Sequence, residues 1–422
     1  MKSNTIKSVS FLWISSVLGS GSTLITNMLL ARTLGADHFG VFSSALSVAM
    51  FFTLLAVFGV PQVWLKIFGQ EGWAGIRWIN LSLQFVAGTS VGASLLLSLW
   101  ALFGPHEAIN KELLFLMCFF LYGQVLIELV ASKLQLEGRF TALAVWQVLP
   151  NLSRLLLIIL LFFSNSYGIS QIGCVYALVG TVVSIVGIFQ LYMMKNGLFI
   201  LAGHIKKTQQ IAIPKMEEFT GEVFPFAMAS LFAYIYVKSD IVMVDYIAGS
   251  KEAGCYNVAF VILQAILIFP TTLYSKFLIP KYHRWANYKR EKFLYSYKKG
   301  NLVMAFTGVL VMIFIVIFSK KIILFFFGEE YLHSIILLNI LSLTIPISFL
   351  SYNVGSTLIT KNHMQTKFKL MGAAAFVNII LNSFTILLYG SIGAAISTVI
   401  TNMFLFLLYL NMASKKVFPD NQ

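Results

Sequence analysis

The chain has 422 residues, of which 58% are hydrophobic and only 11% charged, against roughly a quarter charged in ordinary soluble proteins. With 38 Phe added to that balance, no water-facing surface can be assembled, so a soluble enzyme or nucleic-acid-binding domain is excluded and an integral membrane protein remains. The net charge of +14 is then a matter of topology, because Lys and Arg lie mostly in short segments between apolar runs.

In chain order, apolar runs long enough for membrane-crossing helices of about 20 residues cover 9–31, 41–65, 78–103, 113–132, 140–163 and 171–194. The second half continues with 222–247, 255–279, 301–318, 333–359, 369–389 and 391–413. The seventh run, holding Lys238 and Asp240, is the most polar. Twelve crossings return the C-terminus to the side of the N-terminus. Loops on that side are rich in Lys and Arg, whereas the opposite loops hold only Arg32, Lys111, Lys251, Lys320 and Lys321; the loop acids divide evenly. The positive-inside rule therefore places both termini in the cytoplasm. The first run is too long for a signal peptide. Two longer polar stretches, Lys195–Glu218 with its HIKKTQQ segment and Lys281–Lys299, face the cytoplasm on this topology and suit an anionic leaflet better than nucleic acid. Cys118, Cys174 and Cys255 have no disulfide-framework or zinc-site spacing, and no cofactor motif is present.

The two halves resemble each other. Gly35, Gly40, Phe42 and Ala45 match Gly249, Gly254, Tyr256 and Ala259 at one constant offset; Gly173 matches Gly393 before the sixth and twelfth runs; Leu134–Arg139 mirrors Leu358–His363. The pattern predicts an all-α membrane protein of two six-helix lobes, 1–195 and 219–422, joined by a cytoplasmic linker at 196–218. An even number of spans per lobe makes the repeats parallel, about an axis along the membrane normal, with a central cavity between lobes that rock against each other. Pro61, Pro150, Pro270 and Pro346 supply kinks within spans.

The segment Leu30-Ala-Arg-Thr-Leu-Gly-Ala-Asp-His-Phe-Gly40 resembles the A-R-x-L-G-x-x-x-F-G signature of oligosaccharide flippases. These export O-antigen and capsule repeat units and belong to the multidrug/oligosaccharidyl-lipid/polysaccharide exporter superfamily. Asp240 followed by Glu252, Gly254 and Tyr256 is similar to that family's second-lobe pattern, and Phe327-Gly-Glu-Glu-Tyr331 to its F-G-x-x-Y loop. The resemblance covers essentially the whole chain. It implies transfer of an undecaprenyl-pyrophosphate-linked oligosaccharide from the inner to the outer leaflet of a bacterial inner membrane. It also implies membrane lipids, a polysaccharide polymerase and a chain-length regulator as partners.

Such a cargo needs a polar, preferably cationic path. In the fifth run Gln147, Asn151 and Arg154 recur at i, i+4 and i+7 on one helical face. Arg154 lies near mid-membrane, where facing lipid would cost at least ~2.5–3.5 kcal/mol. Its forked donors suit a pyrophosphate; a pair with Glu128 is the structural alternative. Polar stripes recur as Ser16, Ser20, Thr23 and Asn27; Ser230, Tyr234 and Lys238; Asn257, Gln264 and Thr271; and Asn378, Asn382 and Thr385. Each alone fits interhelical hydrogen bonding; together they predict a polar lumen. Lys66, Arg154, Lys238 and Arg32 succeed one another in depth as way-stations for the pyrophosphate, although Lys66 and Arg32 also fit topology-setting anchors. Asp240, and secondarily Glu128, are candidates for a coupling proton or sodium ion; Asp240 alternatively neutralises Lys238 or Arg154.

A multidrug exporter of the same superfamily would want carboxylates rather than a central arginine. A lipid II flippase resembles fourteen-span proteins. A polysaccharide polymerase would need a large outward loop, and no paired carboxylates or nucleophile–base arrangement appears.

Overall fold

A computed structural model describes residues 2–164, 168–202, 214–359 and 364–418, and the regular structure among them is helical throughout. Helices pair their backbone N–H and C=O groups internally except at their ends, which is what hydrocarbon surroundings demand. The helices are α1 (Lys2–Val57), α2 (Val60–Glu71), α3 (Ile79–Phe103), α4 (Ala108–Leu136), α5 (Phe140–Phe163) and α6 (Ile169–Lys195). They continue with α7 (Met216–Ala248), α8 (Ser250–Thr272), α9 (Ile279–Tyr288), α10 (Arg290–Phe326), α11 (His333–Ser342), α12 (Thr344–Thr357) and α13 (Met364–Lys416).

Two of these are double. Gly35 (φ 73°, ψ 172°) breaks α1 and Gly390 (φ 58°, ψ −140°) breaks α13, each dividing one long helix into two limbs. Nine continuous helical stretches among the described residues are long and apolar enough to cross a membrane. Dividing them at Gly35, in the segment before α3, and at Gly390 gives twelve apolar limbs in the expected order.

Three expectations change. The 41–65 run does not pass straight through: the limb ends at Val57, Phe58 and Gly59 take left-handed φ of 45° and 76°, and α2 begins afresh with Pro61 in its first turn. The 333–359 run is two helices. Pro346 lacks an N–H and its ring excludes the carbonyl of residue 342, so α11 stops at Ser342 and α12 restarts at Thr344. The hydroxyls of Ser342 and Thr344 donate to the carbonyls of Asn339 (2.7 Å) and Leu341 (2.6 Å) at the break. Finally, the polar stretch 281–299 is not a loop; it forms most of α9 and the start of α10.

The chain forms two compact units, Met1–Asn27 with Ala45–Leu231, and Met28–Ser44 with Phe232–Gln422. The division falls inside α7 rather than in the 196–218 linker, and the turn around Gly35 belongs with the second unit. Residues 203–213, which include HIKKTQQ, and 360–363, which end the Leu358–His363 repeat match, lie outside the described residues.

Within the first unit, α4 and α6 approach closely because Gly173, Gly180 and Gly187 recur every seven residues on α6; a Cβ on Gly180 would lie 2.5 Å from the Phe119 carbonyl oxygen. Within the second unit, the start of the second α1 limb crosses the start of α8. A Cβ on Gly40 would lie 1.7 Å from the Ser250 carbonyl oxygen, and one on Gly254 1.9 Å from that of Ala36. Asn257 donates to Ser43 Oγ beside them at 2.7 Å. Ser43 and Asn257 are repeat-related, and the same offset exchanges the two glycine contacts, Gly40 with Gly254 and Ala36 with Ser250.

The acids of the family-like motifs hold the turns. The Glu330 carboxylate accepts from the backbone N–H of Ala36 (3.2 Å), just after Gly35. The Glu252 carboxylate accepts from the N–H (3.3 Å) and the hydroxyl of Ser391, just after Gly390. Both fill orphan donor positions at a helix start, where a negative charge also meets the favourable end of the macrodipole.

Candidate functional site

The first unit holds a cavity of about 260 Å³ lined by Thr23 and Thr26 of α1, Phe120 and Gln124 of α4, Asn151 and Arg154 of α5, and Tyr176 of α6. Arg154 is only 6% exposed. Its guanidinium carbon lies 4.9 Å from the Phe120 ring centre and 5.0 Å from that of Tyr176. One terminal nitrogen donates weakly to Asn151 Oδ1 at 3.4 Å; Nε and Nη2 have no hydrogen-bond partner among the described residues. Cation–π contacts reach about 2 kcal/mol each when desolvated, yet a buried guanidinium needs its donors satisfied as well. The arrangement is a cation supported on two aromatic faces with donors left for an anion. Pairing with Glu128 is not formed: among the described residues Arg154 has no carboxylate within ion-pair reach, and Glu128 is exposed on α4.

The second unit holds a cavity of about 230 Å³. Asp240 of α7 stands in its wall, 2% exposed. Its carboxylate accepts from the Tyr256 hydroxyl (2.8 Å), the Thr398 hydroxyl (2.7 Å) and the Asn382 amide (2.6 Å). Three neutral donors hold it, and among the described residues of this unit no Lys or Arg lies within ion-pair distance of it. Asn378, fully buried, accepts from Ser239 and Asn382, both at 3.1 Å. The Asn382 Oδ1 beside them is buried without a donor. Lys238 does not itself line the cavity, but its ammonium lies 4.7 Å from the centre of the Phe260 ring, which does.

The remaining sequence candidates scatter. Gln147 is exposed and Asn27 donates to the Thr23 carbonyl at 2.8 Å; neither lines the Arg154 cavity. Lys66 is ion-paired with Glu222 at 2.6 Å, each 39% exposed. The Arg32 guanidinium donates to the Phe325 carbonyl. Gln264 does line the Asp240 cavity.

Lys367, Tyr236, Tyr352, Tyr409 and Asn402 also line that cavity and were missed. A signal existed for part of the set: Thr398, Asn402 and Tyr409 recur at i, i+4 and i+11 on one helical face. Lys367 gave none, being indistinguishable from a topology-setting loop cation. Among the described residues no three His, Cys, Asp or Glu side chains converge as a metal site.

Comparison with known proteins agrees with this architecture. The chain matches the polysaccharide biosynthesis protein family over residues 5–284. It is 23% identical over 411 residues to an uncharacterized membrane protein of Methanocaldococcus jannaschii, covering 94% of this chain and 95% of that one. Its fold is similar to that of lipid II flippase MurJ in an inward closed conformation, with a TM-score of 0.76 and 18% identity over 96% of this chain and 87% of that one. It is also similar to an inward-facing multidrug resistance MATE family transporter, with a TM-score of 0.72 and 13% identity over 98% of this chain and 99% of that one. The chain thus belongs to the polysaccharide biosynthesis protein family, and it shares its fold with these flippase and transporter structures.

Proposed function

We propose that this protein is a flippase that moves an undecaprenyl-pyrophosphate-linked oligosaccharide, the repeat unit of an O-antigen, capsule or similar surface glycan, from the cytoplasmic to the periplasmic leaflet by alternating access. The observation that carries the reading is Arg154: a buried guanidinium on two aromatic faces, with two donor nitrogens unfilled beside a cavity. A transported organic cation would be repelled there; a pyrophosphate supplies the missing acceptors, and the forked donors suit its oxygens. Both termini lie in the cytoplasm, and a polymerase receives the flipped units. Asp240 is the candidate coupling site, since a small cation entering its network would meet a carboxylate together with the unpartnered Asn382 oxygen.

The test uses a deletion strain complemented with wild type or Arg154→Ala at matched protein levels, scoring the leaflet in which lipid-linked repeat units accumulate. Deletion strands them on the cytoplasmic face, wild type restores export, and Arg154→Ala does not. Repeat units reaching the outer leaflet in the deletion strain, with no second flippase present, would sink the proposal. Export of organic cations, driven through Asp240, would then be tested next.

A further inference from the structure

The Asp240 cavity has a chemistry of its own. Lys367, near the start of α13, places its ammonium 5.9 Å from the centre of the Tyr409 ring, and among the described residues no carboxylate lies within ion-pair distance of it. Gly355 makes this packing possible: a Cβ there would meet the Tyr409 ring at 3.1 Å and the Lys367 stem at 3.6 Å. Tyr409 is 4% exposed, lines the cavity, and has no hydrogen-bond partner for its hydroxyl among the described residues. Gln264 likewise brings an uncommitted amide to the wall, while Tyr236 and Tyr352 add two more aromatic faces. Of the two charged side chains in the lining, Asp240 is held by three neutral donors, whereas the Lys367 ammonium has no hydrogen-bond or ion-pair partner among the described residues.

The lining selects a ligand class. A lipid tail or a drug-sized molecule would want a pocket of about 300–1,000 Å³ with few polar groups; this one is about 230 Å³ and, although Phe260, Leu263, Leu267 and Leu405 make much of its wall apolar, Gln264, Asn402, Tyr352 and Tyr409 bring amides and phenol hydroxyls to it. A bare phosphate would want several convergent donors, whereas one ammonium on a flexible stem is a point charge. A sugar ring fits both features: its C–H faces lie against aromatic rings and its hydroxyls exchange hydrogen bonds with amides and phenols. A ring that also bears a carboxylate answers the unpaired lysine.

We propose that this cavity is a monosaccharide subsite, specific for an acidic, uronate-type sugar of the transported unit, with Lys367 binding its carboxylate and Tyr409 and Gln264 its ring. The proposal rests on the flippase reading for the origin of the sugar, while the site itself is testable without transport.

The experiment is a saturation-transfer NMR titration of the full-length protein in lipid nanodiscs with D-glucuronate, D-glucose and inorganic phosphate as separate probes. Glucuronate binds saturably to the wild type, glucose binds more weakly, and equimolar phosphate does not displace glucuronate. Lys367→Met and Lys367→Gln each weaken glucuronate binding about tenfold or more with unfolding temperatures unchanged, and Lys367→Arg retains it. Arg154→Ala, whose side chain lines the other cavity, leaves glucuronate binding intact. The site is overturned if wild type shows no saturable glucuronate binding, if folded Lys367 variants bind as wild type does, or if phosphate competes on equal terms. Glucuronate binding in a protein whose deletion strands no lipid-linked units would retain the site and remove the flippase reading; the reverse pattern would do the opposite.

Discussion

Arg154 shows how one buried side chain can be both stable and unfinished. Two aromatic rings offset part of its desolvation, so removing the guanidinium need not unfold the unit, whereas its unfilled donors are lost with it. Arg154→Lys keeps the charge but not the planar fork. It is expected to accumulate like wild type and to restore well under a tenth of surface glycan in a complementation assay, because the bidentate geometry matters as well as the charge. Asp240 is the opposite case, an anion already given three donors. Removing one, by Tyr256→Phe, costs about 1.5–3 kcal/mol for a bond to a charged group and should appear as a lowered unfolding temperature of the purified protein. The spacing of Asn151 and Arg154 was legible because both lie on one helix. Phe120 and Tyr176 were not, since they arrive from α4 and α6, and nothing in the sequence separates the ring beside a cation from the rest of an aromatic-rich chain.

At the scale of elements, the limbs were legible wherever an apolar run ended in charge; where a helix broke inside hydrocarbon-compatible sequence, Pro61 and Pro346 marked a kink but not a full stop. Phe58 and Gly59 interrupt a run with no polar residue to mark the place, and Ser342 ends α11 because of a proline four residues later. The glycines after the first limb and before α8 were recognised as a repeated pattern, and the structure separates two jobs within it. Gly249 has φ 101° and nothing within 4 Å of where a Cβ would stand, so Gly249→Ala is expected to cost about 1–3 kcal/mol of backbone strain and still yield folded protein. Gly254→Ala drives a methyl into the Ala36 carbonyl, forcing two helices apart. It should abolish a monodisperse peak in size-exclusion chromatography of detergent-solubilised protein. If both variants behave alike, the steric account of the crossing is wrong.

For the whole molecule, the charge distribution makes a prediction independent of any cargo. With Cys118, Cys174 and Cys255 replaced, cysteines introduced at Lys111 or Lys251 should react with a membrane-impermeant maleimide added to intact cells, and cysteines at Arg139 or Lys195 only after permeabilisation. The reverse pattern would invert the assigned topology and with it the direction of transport. The number of apolar limbs and their order were legible because hydrocarbon thickness fixes their length. The division into compact units was not, because it follows side-chain packing along α1 and α7 rather than any change in composition.

The crossing of Gly40 with Gly254 has a further consequence. Gly40 faces the carbonyl of Ser250, and Gly254 faces that of Ala36, so each side of the contact presents the other with the equivalent backbone positions of the repeat. That is the logic of an isologous dimer, here made by two stretches of a single polypeptide. In such a seam a change on one side has no independent partner to absorb it. A larger residue at Gly40 cannot be offset by a smaller one at Gly254, which is already as small as a residue can be, so the two positions can drift only together and only through movement of the backbones that carry them.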